Sequence, residues 1–383
     1  MRKYNLSGDY ISVPKGSNLI LSNHVTNVDF LLINSMTKGT YMNFVLAENA
    51  FRNGLLNKVI NSINDPIIHV KGSNSLSTIK DITKNIKKGN NVMLFPEGNT
   101  SFNGCTAKLD ENIGKLVRVC SANLVMIRIK GGYLSRPRWG TIFRKGTISF
   151  ESTSITADEL KKMSVSEITD MINKNIYTDA YEEQDNSKKE FISKKSCLGI
   201  ERAMYKCPRC NEIGTLKSND DSVACKCGYV GHYDKYGYIT DELGAQHSVK
   251  EFLMDQRAWL KEMVGKMDSG NLNSESSHEE AVLFKDNVWV KDITDEKNME
   301  SRQSLITAYK NFATCKCNDS TKDDIIIPYE NVNNVTIFKA NTMTVFVKEN
   351  DEEKACEKIY EVTGEFSFNA LKYRDLYEII SGE

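Results

Sequence analysis

The chain has 383 residues, of which 40% are hydrophobic and 26% charged, which excludes a disordered chain and allows two or three domains. The net charge of −1 hides an asymmetry, because residues 1–150 hold 20 Lys and Arg against 8 Asp and Glu, and the remainder holds 30 against 43. A basic first part suits anionic partners such as coenzyme A, phosphorylated lipid or an anionic membrane face. The absence of a basic-aromatic RNA motif and of a recognition helix disfavours nucleic acid.

The sequence shows no N-terminal signal pattern and no run of roughly 18–20 apolar residues of the kind a membrane-spanning helix needs. We therefore expect a cytoplasmic protein that associates peripherally with the inner face of a membrane. Ten cysteines in such a chain indicate thiols or a metal site rather than a disulfide framework.

The first part of the chain alternates strand-like and helix-like segments. Residues 50–63 have apolar positions at helical spacing, which fits a helix packed on the sheet or a membrane-facing amphipathic helix. Asp158–Ile176 reads as one or two polar helices that close the domain. The pattern predicts an α/β sandwich with a mostly parallel sheet. Its predicted strands are 18–22, 43–47, 66–70, 92–95, 124–129 and 146–150.

The first candidate site follows the first strand, in residues 21–33. Thr26 and Asp29 form a capping-box pattern, which predicts a helix over about 26–37 with Thr26 at its N-cap. His24 then lies in the loop before the helix, and the bend lets the Asp29 carboxylate reach back to the ring. A carboxylate on one imidazole nitrogen fixes the tautomer, so the other nitrogen can act as a base. The alternative is a helix cap beside a surface or core histidine.

A second candidate site follows the apolar strand 92–95, which runs into Pro96, Glu97 and Gly98. The strand delivers a carboxylate and a flexible backbone at its carboxyl end. Open α/β sheets place their ligand sites at these ends.

Together the two stretches resemble the glycerolipid acyltransferase family, whose best-known members are the 1-acylglycerol-3-phosphate acyltransferases. The family's first block, Asn-His, four residues and Asp, is found as Asn23, His24 and Asp29. Its third block, Phe-Pro-Glu-Gly, is found at residues 95–98. The resemblance covers roughly residues 15–180, and the order and spacing of the two blocks also fit the family.

The resemblance implies that a fatty acyl group moves from acyl-CoA or acyl carrier protein to the free hydroxyl of a lysophospholipid, above all 1-acyl-sn-glycerol 3-phosphate, in phospholipid biosynthesis. It implies that His24 takes the hydroxyl proton and that Asp29 orients His24. It further implies that Glu97 and Gly98 hold the glycerol part of the acceptor. A second family block ends a strand with a phosphate-binding arginine, and Lys71 stands at the matching position.

The chain departs from the family after the Pro-Glu-Gly turn, where Thr-Arg-Ser is common and residues 99–101 are Asn-Thr-Ser. Substitute cations are Lys108 and the two arginines of segment 131–139, Arg136 and Arg138. That segment is either a phosphate or headgroup clamp or a charged surface turn. An enzyme of the same mechanism with a different acceptor, and a non-catalytic membrane-docked lipid-binding regulator, are the alternative functions.

The first domain is thus expected at 1–180, followed by a charged linker helix at 181–204. A zinc ribbon is predicted at 205–240, where four cysteines form two close pairs that suit a tetrahedral Zn²⁺ site with four thiolates. The alternative is free thiols. These ligands would be Cys207, Cys210, Cys225 and Cys227.

The rest of the chain is expected to hold a helix and linker at 241–275 and a β-rich, barrel-like domain at 276–383. Six or seven strands and a closing helix resemble the pleckstrin-homology-like fold in element order, which leaves membrane, lipid or protein binding open. Cys315 and Cys317 repeat the spacing of the second cysteine pair, but we interpret them as packing residues on a strand.

Overall fold

The structure, a computed structural model, describes residues 5–47, 65–69, 76–268, 281–295, 299–351 and 354–382. The helix predicted at 50–63 and the candidate cation Lys71 lie outside these ranges. The chain separates into two compact units, the first of residues 1–138, 142–193 and 235–237 and the second of 139–141, 194–234 and 238–383.

A seven-stranded sheet forms the centre of the first unit, in the order β1-β7-β6-β2-β5-β3-β4. Every neighbouring pair is parallel except β6 with β7. The predicted α/β class with a parallel-containing sheet is therefore confirmed. The strands are β1 (Asn5–Ser7), β2 (Asn18–Ser22), β3 (Asn43–Ala47), β4 (Ile67–His69), β5 (Val92–Leu94), β6 (Asn123–Lys130) and β7 (Thr147–Ile155).

Helices cover the sheet because its central strands are apolar on both sides. Leu19 and Leu21 of β2 share a core cluster with apolar residues of four helices, α2 (Leu76–Lys87), α3 (Glu111–Cys120), α5 (Ala157–Leu160) and α6 (Val165–Ile176). Ile20, which points to the opposite face, is also fully buried. The helices of this unit are α1 (Asp29–Met36), α2 (Leu76–Lys87), α3 (Glu111–Cys120), α4 (Gly132–Ser135), α5 (Ala157–Leu160), α6 (Val165–Ile176) and α7 (Ala180–Ser187).

Several predicted boundaries differ from the observed ones. Helix α1 begins at Asp29 and not at Thr26–Asn27, because Thr26 and the next two residues form a tight turn whose Asp29 N–H donates to the Thr26 carbonyl at 3.4 Å. Strand β7 extends to Ile155, since its antiparallel pairing with β6 continues past the predicted end. The linker helix predicted at 181–204 is not continuous: the segment holds most of α7 and a short 3-10 helix at Ile200–Arg202, and Cys197 and Ile200 are fully buried.

The second unit begins with a five-stranded antiparallel sheet, in the order β12-β11-β10-β9-β8. The helix α8 (Val249–Asp268) follows it, at the position predicted for a helix. Gln256 of α8 is buried and bonds the chain before this sheet, accepting from Tyr205 N–H and donating to Ala203 O. The strands are β8 (Leu216–Ser218), β9 (Ser222–Cys225), β10 (Val230–Tyr233), β11 (Tyr238–Asp241) and β12 (Gln246–Ser248).

A seven-stranded antiparallel sheet and the closing helix α9 (Ala370–Ser381) complete the second unit. The sheet order is β16-β15-β14-β13-β19-β18-β17. The first strand of this sheet, β13, is continuous from Phe284 to Asp292, and it pairs with β14 without a register shift. The strands are β13 (Phe284–Asp292), β14 (Ser301–Ala308), β15 (Phe312–Cys317), β16 (Ile325–Pro328), β17 (Val332–Lys339), β18 (Thr342–Asp351) and β19 (Lys354–Gly364).

The division of the chain into five segments stays a prediction. Within the described ranges, no helix is long and apolar enough to cross a membrane.

Candidate active site and candidate metal centre

The loop between β2 and α1 brings the first two candidate residues together. His24 Nδ1 lies 2.9 Å from Asp29 Oδ2. The Asp29 side chain is completely buried, whereas the His24 side chain is 21% exposed. The chain turns between them, so residues five apart in sequence meet although they would not face each other on a continuous helix. A carboxylate thus holds one imidazole nitrogen.

The Asp29 carboxylate is fixed by the loop that it closes. Oδ2 also accepts from the Val25 N–H at 2.7 Å and from the Thr26 N–H at 2.9 Å. Oδ1 accepts from the Thr26 hydroxyl at 2.5 Å. The Thr26 hydroxyl in turn accepts from the Val28 N–H at 3.2 Å. These bonds satisfy the buried charge and hold the loop in one shape.

The His24 ring lies flat against Phe95, with centroids 4.2 Å apart and planes 14° apart. Phe95 follows β5, which is the neighbour of β2 in the sheet. Among the described residues, no group bonds the second ring nitrogen, Nε2. The ring is therefore oriented on one side and accessible on the other, as a general base requires. This stacking could not be predicted from the sequence, because it depends on the strand order.

Glu97 braces the same loop. Its Oε1 accepts from the His24 N–H at 2.7 Å, and its Oε2 accepts from the Ala107 N–H at 2.9 Å. The parallel strands β2 and β5 end side by side, which places Glu97 next to His24. Burial raises the pKa of the Glu97 carboxyl to about 7, against the opposing effect of these two bonds, and the Asp29 charge raises it further.

Gly98 closes the turn after Glu97. Its N–H donates to the Phe95 carbonyl at 3.0 Å, and its φ is +66°, a left-handed conformation that favours glycine. Gly98 is exposed. The Ser101 N–H then returns to the His24 carbonyl at 3.2 Å, so the turn and the histidine loop are joined.

Asn23 has a structural role that the sequence did not reveal. It is fully buried, and its side chain bonds both backbone groups of Ile129, donating to the carbonyl at 2.9 Å and accepting from the N–H at 2.7 Å. These bonds fasten the end of β2 to β6. The residue before the histidine thus holds the strand end from which the site loop departs.

Of the two candidate arginines, Arg138 contacts the loop beyond the Pro-Glu-Gly turn. It donates to the Thr100 carbonyl at 2.8 Å, and its guanidinium lies 4.5 Å from the centroid of the Phe102 ring. Arg136 is half-buried, and the described part of the chain offers its guanidinium no ion pair. Lys108 is exposed.

The four predicted zinc ligands lie together. Their sulfur atoms are all within 4.8 Å of one another, with 3.7 Å between Cys207 and Cys227 and 3.8 Å between Cys210 and Cys225. These separations are too long for a disulfide. They match the edge of roughly 3.8 Å that a tetrahedron has when each Zn–S bond is about 2.3 Å. The cluster therefore fits a tetrahedral metal such as Zn²⁺.

Tight turns present these cysteines. The Asn211 N–H donates to the Cys207 carbonyl at 3.0 Å, and the Gly228 N–H donates to the Cys225 carbonyl at 3.0 Å. Asn211 and Gly228 have φ of +61° and +94°, which suits the left-handed position of such turns. Burial raises the pKa of Cys225, but its hydrogen bonds with the Cys227 N–H, the Thr215 hydroxyl and neighbouring thiols outweigh burial and lower the pKa to about 6.

Cys315 and Cys317 stand apart from this cluster. They lie on β15, where Cys315 is buried in the sheet domain. In the described ranges, the four-cysteine group is the only set of three or more His, Cys, Asp or Glu side chains placed to share a metal.

The comparisons with known proteins point to the same part of the chain. A family model described as Acyltransferase matches residues 5–130, which contain both His24 and Glu97. No curated protein matches the chain.

Two solved structures are similar to parts of the chain. The 1-acyl-sn-glycerophosphate acyltransferase PlsC from Thermotoga maritima is 15% identical over 45% of this chain and 70% of its own, with a TM-score of 0.37. The N-terminal PH domain of human ARAP2 is 12% identical over 28% of this chain and 84% of its own, with a TM-score of 0.19.

Proposed function

We propose that the protein is an acyltransferase that moves a fatty acyl group from a thioester to the free hydroxyl of a lysophospholipid. The observation that carries this proposal is the pair of His24 and the buried Asp29, held by Glu97 within the residues that the acyltransferase family model matches. A second ring nitrogen open to a substrate and a fixed carboxylate are the parts that base-assisted acyl transfer needs.

In the proposed reaction the acceptor oxygen attacks the thioester carbonyl carbon while its proton passes to His24 Nε2. Asp29 stabilises the imidazolium through Nδ1. The C–S bond then breaks, and the departing sulfur takes the proton back from His24, so the base is regenerated. A protein nucleophile is not required, because the acceptor attacks directly.

The acceptor is proposed to be 1-acyl-sn-glycerol 3-phosphate, in phospholipid biosynthesis. Glu97 and Gly98 would border its glycerol part, and Lys71, Arg136 and Arg138 would hold its phosphate. The supporting observation is that Arg138 reaches the loop beyond Gly98 by its bond to the Thr100 carbonyl. The donor is acyl-CoA or acyl carrier protein.

The surroundings of the reaction are also proposals. The protein would act in the cytoplasm, peripherally on the inner face of an anionic membrane, and without nucleic acid. Support comes from the excess of Lys and Arg in residues 1–150. The four cysteines would hold a structural Zn²⁺, which would cross-link the two turns that carry them. The pleckstrin-homology-like fold of the last sheet stays a prediction. The role of this sheet in binding lipid or protein stays a prediction as well.

Product analysis tests the proposal. Purified protein is given a panel of lysolipids, phosphorylated and unphosphorylated, with acyl-CoA or acyl carrier protein donors, and the products are identified by mass spectrometry. We expect phosphatidic acid from 1-acyl-sn-glycerol 3-phosphate. Acylation of another lysolipid alone would assign a different acceptor to the same mechanism, and no acylated product from any pair would favour a lipid-binding regulator.

A further inference from the structure

The second unit contains a cavity of about 190 Å³, whose lining includes neither the four cysteines nor the residues proposed for catalysis. Its wall contains three carboxylates, Glu201, Asp286 and Glu365, and one ammonium group, Lys372. Glu201 belongs to a short 3-10 helix at Ile200–Arg202. The charged groups therefore converge on one space from three separate segments of the chain.

One pair of these charges neutralises itself. Lys372 Nζ lies 2.6 Å from Asp286 Oδ2, and the Lys372 side chain is only 4% exposed. The Tyr373 hydroxyl also donates to Asp286 Oδ2, at 2.6 Å. Burial lowers the pKa of Lys372, and Asp286 partly restores it. The Asp286–Lys372 pair accounts for its own charges, so the other two carboxylates, Glu201 and Glu365, leave the lining of the cavity with an excess of negative charge.

Glu201 differs from the Asp286–Lys372 pair in its hydrogen bonding. The residue is 8% exposed, and its Oε2 is shielded from solvent with no hydrogen-bond partner among the described residues. The adjacent Arg202 does not supply one, since its guanidinium donates to the Gly199 and Trp139 carbonyls and stacks on the Phe366 ring. A buried carboxylate oxygen without a donor is rare and unfavourable. Glu201 lines the cavity with the part of its surface that is exposed, and a ligand that brings a positive charge there would offset its charge.

We propose that this cavity binds a small molecule carrying an ammonium group, with Glu201 as its anionic partner. The charge of the wall, three carboxylates against one ammonium, favours a cation over an anion. Tyr205 and Phe368 also line the cavity and give the ligand's carbon atoms an apolar contact. The volume equals that of roughly six liquid waters, so a ligand of a few non-hydrogen atoms fits.

Ethanolamine and ethylene glycol are a matched pair of probes, because they differ only in an ammonium and a hydroxyl group. Binding to the full-length protein is measured by saturation-transfer NMR in amine-free buffer at constant ionic strength. We expect saturable ethanolamine binding, with a dissociation constant on the order of 1 mM for so few atoms, and none for ethylene glycol. A cavity that holds only water would bind neither probe and would overturn the proposal.

Glu201→Gln keeps the shape of the side chain and removes its charge, so ethanolamine binding should weaken at least tenfold. The control is Glu330→Gln, an exposed carboxylate of the same unit that does not line the cavity, which should bind as the wild type does. Equal affinity of Glu201→Gln and wild type would overturn the assignment. Mg²⁺ binding that depends on Glu201, without ethanolamine binding, would do so as well.

Asn287 provides a second pair of variants, which leaves the buried side chains of the cavity wall unchanged. It lines the cavity and is exposed, so substitution should leave the fold intact. Asn287→Lys should weaken ethanolamine binding severalfold, whereas Asn287→Asp should keep or strengthen it. The same affinity in both variants would contradict an ammonium site even if Glu201→Gln failed to fold.

The ammonium group could belong to a free amine or to a lipid headgroup. Bound ethanolamine is challenged with phosphatidylglycerol vesicles, with and without phosphatidylethanolamine. Displacement only by the vesicles that contain phosphatidylethanolamine assigns the headgroup. Retention of ethanolamine with both vesicles assigns a free amine, and both results support the ammonium site.

Discussion

The Asp29 side chain connects more parts of the candidate site than any other side chain of the loop between β2 and α1. It bonds the His24 ring, two backbone N–H groups and the Thr26 hydroxyl, all without exposure to water. A substitution of Asp29 therefore cannot change its charge without also changing its hydrogen bonds. A change at this residue acts both on the base and on the loop that presents it.

Asp29→Asn should reduce turnover by about 10²- to 10⁴-fold, because the imidazolium loses its carboxylate. It should also lower the free energy of unfolding by about 1–3 kcal/mol. The donors that bond the two carboxylate oxygens of Asp29 would find only one acceptor oxygen in the amide. Turnover and urea unfolding are measured on the same preparation. A variant with unchanged turnover would contradict the orienting role of Asp29, whatever its stability.

Glu97→Gln should change how stability depends on pH. Burial raises the pKa of Glu97 from 4.5 to about 7. Between these values the folded protein holds a proton that the unfolded chain has released, so the free energy of unfolding falls as pH rises, by at most about 1.4 kcal/mol per pH unit. Glutamine does not titrate. Urea unfolding between about pH 5 and pH 7 should therefore show a steeper fall for the wild type.

Parallel stability curves for wild type and Glu97→Gln would contradict the burial of this charge. Above about pH 7, where the wild-type group is a carboxylate, the variant should lose one of the two backbone hydrogen bonds, because an amide N–H would face a backbone N–H.

Substitution of the candidate cations tests whether they bind the phosphate of the acceptor. Arg136→Ala, Arg138→Ala and Lys71→Ala should each raise KM for a phosphorylated acceptor more than for an unphosphorylated one. Arg138→Ala should also lower kcat, because Arg138 supports the loop at Thr100 and Phe102. Lys84→Ala, an exposed cation on α2, is the control. Equal effects on both acceptors would assign the cations to the donor or to the membrane.

At the scale of elements, the cysteine turns should fold around a metal. Protein as purified should hold one Zn²⁺ per chain, and Cys207→Ser with Cys210→Ser should abolish it, because two of four thiolates are lost. Cys315→Ser with Cys317→Ser is the matched control, since these cysteines lie on β15 away from the cluster. Elemental analysis measures the zinc.

Chelation of the metal should expose residues 205–240 to protease before the rest of the chain, and should affect acyl transfer only indirectly. Zinc retained after loss of Cys207 and Cys210, and lost after loss of Cys315 and Cys317, would contradict the ligand assignment.

The elements themselves show what local sequence can and cannot specify. The central strands were predictable because they contain continuous apolar runs, such as 19–21 and 124–127. Strand β1 has three residues and no such run, and it exists because it pairs with β7. The start of α1 was placed too early, because the Thr26–Asp29 bonds that resemble a capping box close a turn ahead of the helix.

Across the whole molecule, the sequence predicted which residues form the candidate sites but not how distant segments support them. The His24–Asp29 pair and the four cysteines follow from short spacings. Glu97 could be predicted as a site residue, but its bond to the His24 backbone depends on β2 and β5 being neighbours.

Trp139 shows the same limit. It belongs to segment 131–139, for which the sequence left open a headgroup clamp or a charged surface turn. Trp139 is fully buried and packs edge-on against Tyr233, with ring centroids 5.7 Å apart, in the second unit. Nothing within segment 131–139 encodes a contact with a residue so far along the chain. The environment of Trp139 is therefore set by tertiary structure.

The most direct test of the proposed activity compares acyl transfer in the wild type, His24→Ala and His232→Ala. His232 is an exposed histidine on β10, so its variant controls for loss of a histidine as such. We predict that His24→Ala lowers the rate of lysophospholipid acylation by about 10²- to 10⁴-fold with an unchanged unfolding midpoint, and that His232→Ala has the wild-type rate. Near-normal turnover in folded His24→Ala would contradict the proposed base and, with it, the proposed mechanism.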